Sequence, residues 1–292
     1  MFLTDNVQND TDRCGKACRQ GHRMTETVPE PSQPVMEARG ISKHYGAIVA
    51  IDEVDLTLFS GEVLAVVGDN GAGKSTLIKS ITGAIPRTSG AIRIDGKQAQ
   101  IDTPADAKAA GIETVYQDLA LVNEISITKN VFLGREIVRN DWLGRFFGVL
   151  DFKKMDHEIR TLFAKLDVRI TDIYREAEAF SGGQRQAVAL SKTVMFGKRI
   201  AILDEPTAAL GVRESKMAMQ LVGSLKDHGL SVIMITHNME HVLNYCDRVM
   251  VLRLGRLVAV RDVKDVDGDT LVGLITGATN TDSDASNTEA TA

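Results

Sequence analysis

Cysteine, tryptophan and proline are scarce in this 292-residue chain, which has three Cys, one Trp and six Pro. Three cysteines cannot build a disulfide framework, so a reducing compartment is favoured. No apolar run approaches the ~18 residues needed to cross a bilayer, which argues against a membrane-spanning helix. An excess of basic charge is also lacking. With 34 Lys+Arg against 39 Asp+Glu the formal net charge is −5. Sequence-independent binding of nucleic acid, which needs Lys and Arg to neutralise phosphates, is disfavoured. The start, Met1-Phe2-Leu3-Thr4-Asp5-Asn6, turns polar at once and does not read as a secretory signal. What is present is globular: 43% apolar and 25% charged residues, enough for one or two domains with a sizeable core.

Residues 1–34 are polar, end in Pro29, Pro31 and Pro34, and are expected to form a disordered extension. Cys14, Cys18 and His22 are spaced to align on a helix, but no fourth ligand is near and zinc spacings are absent, so the spacing reads as coincidence. From Gly277 onward the chain is rich in Thr, Asp, Ser, Asn and Ala, and 278–292 are expected to be a disordered tail. One domain is expected over 35–277. The runs 62–67, 112–115, 200–203 and 232–235 read as strands, those at 200–203 and 232–235 covered on both faces. Helical patterns fall between them: Met217, Leu221, Val222 and Leu225 share one face, and Met239, Val242, Leu243 and Cys246 share another, making Cys246 a core residue. Such alternation predicts an α/β fold on a parallel sheet. Residues 36–60 and 90–96 read as a small antiparallel sheet. Residues 118–196 read as mainly helical, with Met155, Ile159, Leu162, Phe163 and Leu166 on one helix face.

After the strand 62–67 comes Gly68-Asp69-Asn70-Gly71-Ala72-Gly73-Lys74-Ser75-Thr76, followed by the helical Leu77-Ile78-Lys79-Ser80-Ile81. Strand, glycine loop and helix in that order form a phosphate-binding loop. Glycines let backbone N–H groups wrap an anion at a helix N-terminus. Lys74 would neutralise β- and γ-phosphates, and Ser75 would hold Mg²⁺. Asp204-Glu205 follow the strand 200–203, at the carboxyl edge of the sheet beside that loop. Asp204 can bind Mg²⁺, and Glu205 can polarise an attacking water.

Ser181-Gly182-Gly183-Gln184, then Arg185-Gln186, precede a helix expected over Ala187–Met195. Placed between the phosphate loop and the acidic pair, this resembles the signature of the ABC ATPases. The resemblance covers about residues 36–260 and implies a P-loop NTPase fold: a RecA-like parallel-sheet core, an antiparallel β subdomain and a helical subdomain at about 118–196. It implies ATP and Mg²⁺ as cofactors and gives further residues roles. Tyr45 would stack on adenine, Gln117 would sense Mg²⁺ and water, and His237 would contact the γ-phosphate. The glycines of the signature offer a second anion cradle, which in this family closes over the γ-phosphate of the opposite subunit. A head-to-tail dimer, with itself or with a paralogous ATPase, is therefore implied.

Two departures stand out. Phe180 takes the place of the usual Leu before the signature serine. Gly211 in Ala208-Ala209-Leu210-Gly211 takes the place of the usual Asp, which puts the communication between the two ATP sites in doubt. The stretches 109–117, 130–136 and 205–212 look like those of single-domain monosaccharide importer ATPases of the ribose, xylose and fructose type. That likeness implies integral-membrane permease subunits, indirectly a periplasmic sugar-binding protein, and a peripheral place on the cytoplasmic face of a bacterial inner membrane. An ABC ATPase for another solute, such as an amino acid, is the alternative. Repair-type relatives interrupt the ATPase with a long coiled coil, for which the segment from Lys74 to Ser181 is too short. Translation-type relatives join two ATPase domains by basic linkers, against one domain here. Trp142, Phe146 and Phe147 lie near where the family docks its permease, although Phe146 and Phe147 are expected to pack inside the subdomain.

Overall fold

The computed structural model describes residues 33–117, 121–208 and 210–278, within one unit that begins at Gln33. Cys14, Cys18, His22 and the tail from Thr279 lie outside the described residues.

The chain opens with a long hairpin, β1 (Pro34–Tyr45) and β2 (Ile48–Phe59). Next come β3 (Val63–Val67), the phosphate loop and α1 (Lys74–Ile81). Strands β4 (Ser89–Ile94) and β5 (Lys97–Ala99) precede α2 (Pro104–Ala109) and β6 (Ile112–Val115). A helical stretch follows: α3 (Ile127–Phe132), α4 (Trp142–Phe147), α5 (Phe152–Lys165) and α6 (Gly182–Phe196). The chain then runs through β7 (Ile200–Asp204), α7 (Val212–Asp227), β8 (Ser231–Ile235) and α8 (Met239–Tyr245). It ends with β9 (Arg248–Arg253), β10 (Arg256–Asp262) and α9 (Gly268–Thr276).

Two sheets result. One is antiparallel, in the order β2-β1-β4-β5, and the other runs β10-β9-β3-β8-β7-β6. Within the second, β9, β3, β8, β7 and β6 pair in parallel, but β10 returns antiparallel to β9. The sheet is therefore mixed rather than parallel throughout. The short turn at Leu254-Gly255 folds β10 straight back, which a parallel crossover cannot do.

Strands β3, β7 and β8 are buried at every residue. Their alternating side chains feed three clusters, the third formed by Ala65 and Val67 of β3 with β9 and α9. Leu64, Val66, Ile202, Ile233 and Ile235 pack with α1 and the antiparallel sheet. Val63, Ala201, Leu203, Val232 and Met234 pack with α6 and α7. The helical stretch has its own core of Ile127, Val131, Phe132, Met155, Ile159 and Phe163. Val188 of α6 joins that core while Ala189 and Leu190 join the sheet's, so α6 ties the two parts together.

Several sequence expectations shift. Phe146 and Phe147 stand exposed instead of packing inward, α4 lying at the tip of an excursion whose stem pairs Val138 with Leu150. Met217 and Leu243, placed by periodicity on buried faces, are also exposed. Cys246 is only partly buried, at the seam of two cores. Its thiol is nonetheless pushed up to about 12 by burial, with the Asp247 carboxylate adding to it. Helix α6 begins at Gly182, five residues earlier than its apolar pattern suggests, since glycine and glutamine carry no apolar period.

Candidate active site

The phosphate loop leaves β3 at Val67 and enters α1 at Lys74. Gly73 is the N-cap of α1 at φ 101° and supplies no side-chain cap, so the first N–H groups of the helix stay free of side-chain partners. A Cβ on Gly73 would lie 2.7 Å from Ile51 Cγ2 and 2.9 Å from the Ala50 carbonyl oxygen. One on Gly68 would run into the Leu252 carbonyl. These two glycines let β2 and β9 press against the back of the loop. The turn between β9 and β10 stitches it in place: the Gly255 N–H donates to the Ala72 carbonyl at 3.1 Å, and the Asp52 N–H to the Gly255 carbonyl at 2.9 Å.

Lys74 folds back over the loop. Its Nζ donates to the carbonyl oxygens of Gly68 at 2.6 Å and Asp69 at 2.9 Å. Burial lowers its pKa, against the raising pull of Glu205, Asp69 and Asp204. An anion at the loop would relieve a cation held in this way. A cleft of about 560 Å³ opens here, lined by the loop from Asn70 to Thr76 together with Gln117 and Glu205. Ser75 faces it and is exposed. Ile48, Val49, Ala50, Leu254 and Gly255 complete its wall. Sequence reading misses these five, because their nearness to the loop follows from sheet packing and not from any local motif.

Asp204 ends β7 and is buried, and its side chain has no hydrogen bond or ion pair among the described residues. Burial first, then the Glu205 charge, raises its pKa, while Lys79 and Lys74 pull it down. Asp204 does not itself line the cleft, but it adjoins Glu205, which lines it together with Ser75 and Gln117, and a buried carboxylate without a side-chain partner fits a divalent cation. Among the described residues no group of three or more His, Cys, Asp and Glu stands together. A cation here would thus take its remaining ligands from water and phosphate oxygens, as Mg²⁺ does.

Glu205 sits at φ 49°, a left-handed conformation uncommon for a non-glycine residue. Its N–H donates to the Ile235 carbonyl at 3.0 Å, which ties the strained turn to β8. Such strain persists only where the surroundings enforce it, and it is concentrated at functional sites. The Glu205 Oε1 lies 3.2 Å from His237 Nδ1. The two edge loops after β7 and β8 therefore meet at a carboxylate that looks into the cleft. Tyr45 stands at the end of β1, opposite Ile48. It is half exposed, with the Lys43 ammonium 4.8 Å from the ring centroid.

The signature residues stand elsewhere. Ser181 caps α6: its Oγ accepts from the Gln184 N–H at 3.3 Å, and the Gln184 Oε1 accepts from the Ser181 N–H at 3.0 Å. This reciprocal capping box occupies the Gln184 side chain. Gly183 packs on α7, where a Cβ would lie 2.5 Å from Glu214 Cγ. Gly211 caps α7, and a Cβ there would lie 2.6 Å from Glu214 Oε2. Glu214 thus fills the space beside Gly211 that a longer residue would need. Ser181, Gly183 and Gln184 line a separate cavity of about 590 Å³ that shares no residue with the phosphate-loop cleft.

Comparison with known proteins agrees with this geometry. Residues 51–208 match the family described as ABC transporter. The chain is 45% identical over 247 residues to the fructose import ATP-binding protein of Rhizobium meliloti, covering 84% of this chain and 95% of that protein. It is 40% identical to the xylose/arabinose import ATP-binding protein of Sulfolobus acidocaldarius, covering 83% and 94%. It is 38% identical to the ribose import ATP-binding protein of Chromobacterium violaceum, where it covers 82% of this chain but 46% of the longer protein. Among solved structures, an ATP-binding cassette of an ABC transporter in its ADP conformation superposes with TM-score 0.69 at 26% identity, covering 84% of this chain and all of that one. A nucleotide-free cassette from an ABC transporter gives 0.67 at 26% identity, covering 82% and 98%. With a phosphate loop between strand and helix, an acid pair at the neighbouring strand end and a match over more than half its length, the chain belongs to the ABC transporter family.

Proposed function

We propose that the chain is the ATP-hydrolysing subunit of an importer, coupling ATP turnover to uptake of a monosaccharide through a separate permease. One observation carries the hydrolytic part: Glu205, strained at φ 49°, holds its carboxylate to His237 at 3.2 Å and faces the cleft that the phosphate loop lines. The names of the fructose, xylose/arabinose and ribose import relatives support the sugar part.

In this reading the backbone N–H groups of Gly68 to Gly73, with those of Lys74, Ser75 and Thr76, cradle the phosphates of ATP. Lys74 exchanges a carbonyl partner for phosphate oxygen and neutralises charge there. Ser75, Gln117 and Asp204 would hold Mg²⁺, which would neutralise charge on the phosphate oxygens. Glu205 accepts a hydrogen bond from the attacking water and takes its proton as the bond to the γ-phosphorus forms and the bond from that phosphorus to the β–γ bridging oxygen breaks, releasing ADP and phosphate. His237 fixes the Glu205 carboxylate and reaches toward the γ-phosphate. Tyr45 stacks on adenine, and because stacking is base-tolerant it adds affinity more than discrimination. Ser181, Gly182 and Gly183, with Gln184 as their structural brace, act on the nucleotide of a second ATPase subunit. Each chain's cleft lacks a signature of its own, so the active form is a head-to-tail dimer of this chain or of this chain with a paralogue.

The permease supplies the membrane spans; among the described residues no helix is long and apolar enough to cross a membrane. A periplasmic binding protein delivers the sugar, and the ATPase dimer sits peripherally on the cytoplasmic face of the bacterial inner membrane. Reconstitution with permease and binding protein tests the reading. One monosaccharide among fructose, xylose, arabinose and ribose should raise ATP turnover. Stimulation by an amino acid and by no sugar would overturn the substrate class.

A further inference from the structure

Two stretches that stand out in the sequence, 109–117 and 130–136, meet in the fold at β6. This strand ends the six-stranded sheet and pairs only with β7 among the described residues. Packing covers it incompletely: a cavity of about 180 Å³ lies between β6, the end of α1, α2 and α6. Thr193 of α6 borders that cavity, and its buried hydroxyl has no hydrogen-bond partner among the described residues. An edge strand beside a void is placed less firmly by packing than a central one. Two polar contacts hold it instead. Near its start, Glu113 accepts a hydrogen bond from the Arg135 guanidinium at 2.6 Å, the two side chains being 11% and 26% exposed. A turn aims Arg135 there: Gly134 sits at φ 73°, its N–H donates to Glu136 Oε1 at 3.0 Å, and the Arg135 N–H donates to the Phe132 carbonyl at 2.7 Å. The guanidinium also lies 4.6 Å from the Phe196 ring centroid at the end of α6. The chain leaves β6 through Gln117, forms α3 and comes back at Arg135, so the ion pair closes that loop onto the strand. Just past its end, the Thr82 hydroxyl donates to the Ile78 carbonyl at 2.8 Å, which leaves the Thr82 oxygen to accept from the Tyr116 hydroxyl at 3.2 Å. Thr82 is the buried C-cap of α1, the helix that begins at Lys74 and Ser75.

We propose that Tyr116 and Arg135 are positioning residues for Gln117, which rests on the reading of Gln117 as a ligand of Mg²⁺. In that reading the cation takes ligands both from Ser75, at the start of α1, and from Gln117, just past the end of β6. Its affinity then depends on how firmly helix and strand are held to each other. The Tyr116 phenol joins the residue before Gln117 to α1 directly. The ion pair holds the far end of the loop that begins at Gln117, and that loop cannot swing without parting a largely buried pair of charges, which is costly. Neither residue touches the nucleotide cleft: Gln117 lines it, whereas Tyr116 and Arg135 do not. Their influence is therefore exerted through Gln117.

Calorimetry with the β,γ-imido analogue of ATP, in the presence and absence of Mg²⁺, measures the factor by which Mg²⁺ raises nucleotide affinity. Tyr116→Phe removes one oxygen and keeps the ring. It should lower that factor about tenfold, the low end for loss of a group behind a metal ligand. Arg135→Ala should do the same, and Glu113→Gln, which keeps the size of the side chain, should match it. Affinity without Mg²⁺ should stay within about twofold in all three, which a general loosening of the fold would not give. Gln117→Ala should remove most of the factor by itself. Adding Tyr116→Phe or Arg135→Ala to it should then cost no more than about twofold. A full factor in Tyr116→Phe, or losses that multiply in the Gln117→Ala chain, would overturn the proposal and leave Gln117 in its role. A full factor in Gln117→Ala alone would instead remove Gln117 from the cation's site, and the proposal would fall with it.

Discussion

Gly211→Asp should destabilise the chain, although it restores the residue usual at this position in the family. The backbone does not object: Gly211 sits at φ −68°, ψ 168°, ordinary extended geometry. Asp at an N-cap even gains a few tenths of a kcal/mol over Gly. The opposing effect is larger. A Cβ at 211 would lie 2.6 Å from Glu214 Oε2, the end of a flexible side chain, so that carboxylate must swing aside while its Cβ and Cγ stay beside Gly183. Two carboxylates then share the start of one helix. At about 4 Å they repel by roughly 1 kcal/mol in water and up to about 4 kcal/mol near a protein surface. The net expectation is a loss of about 1–3 kcal/mol. Each kcal/mol lowers the unfolding midpoint by about 2–4 °C for a domain of this size. Adding Glu214→Ala should return most of that loss, so the two substitutions should couple by about 1–2 kcal/mol. Urea unfolding of the four chains of the cycle measures this. Additivity within about 0.5 kcal/mol, or stabilisation by Gly211→Asp alone, would refute the crowding argument.

Gly73→Ala should cost about 2–4 kcal/mol, from a left-handed φ of 101° and crowding against Ile51 and Ala50. It should also abolish measurable ATP binding by calorimetry. Asp204→Asn should stabilise the chain at pH 7 while weakening the Mg²⁺ dependence of ATP binding. The sign follows from burial, which raises the folded pKa of Asp204 above its unfolded value. The cost of the charged carboxylate is then fully present above the folded pKa and disappears as pH falls through it toward the unfolded value. The gap in urea midpoint between variant and wild type should therefore narrow on acidification; a gap that widens would be the wrong sign. Tyr45→Ala should weaken nucleotide binding about tenfold without changing the ratio of ATP to GTP affinity. Unchanged affinity in a nucleotide titration would remove Tyr45 from the site.

The site was legible where chemistry forces a local pattern. Gly68 to Thr76 had to be glycine-rich because the loop's back is pressed by Leu252 and Ile51, and that pressure leaves its mark in sequence. Asp204 and Glu205 were placed by the apolar run before them, since a strand buried on both faces ends at the sheet's carboxyl edge. The wall of the cleft was not legible. Val49, Leu254 and Gly255 belong to hairpins without a motif of their own, and the hydrogen bonds that join Gly255 to Ala72 and to Asp52 bring them to the loop. The Gln184 side chain closes the capping box of α6, a local role that its place in the signature motif does not announce. Periodicity also failed at Phe146 and Phe147. Apolar identity implies burial only where an element has a neighbour, and the stem of α4 uses the other face.

Glu205 as the base that activates water is the centre of the account, and Glu205→Gln tests it most directly. The amide keeps the size of the side chain and can still reach His237, so the left-handed turn and the cleft should survive. ATP turnover should fall by about 100-fold or more, while ATP affinity stays within about twofold and the ATP-bound chains accumulate as a dimer in size-exclusion chromatography. A variant that binds ATP and still turns it over at the wild-type rate would contradict the assignment.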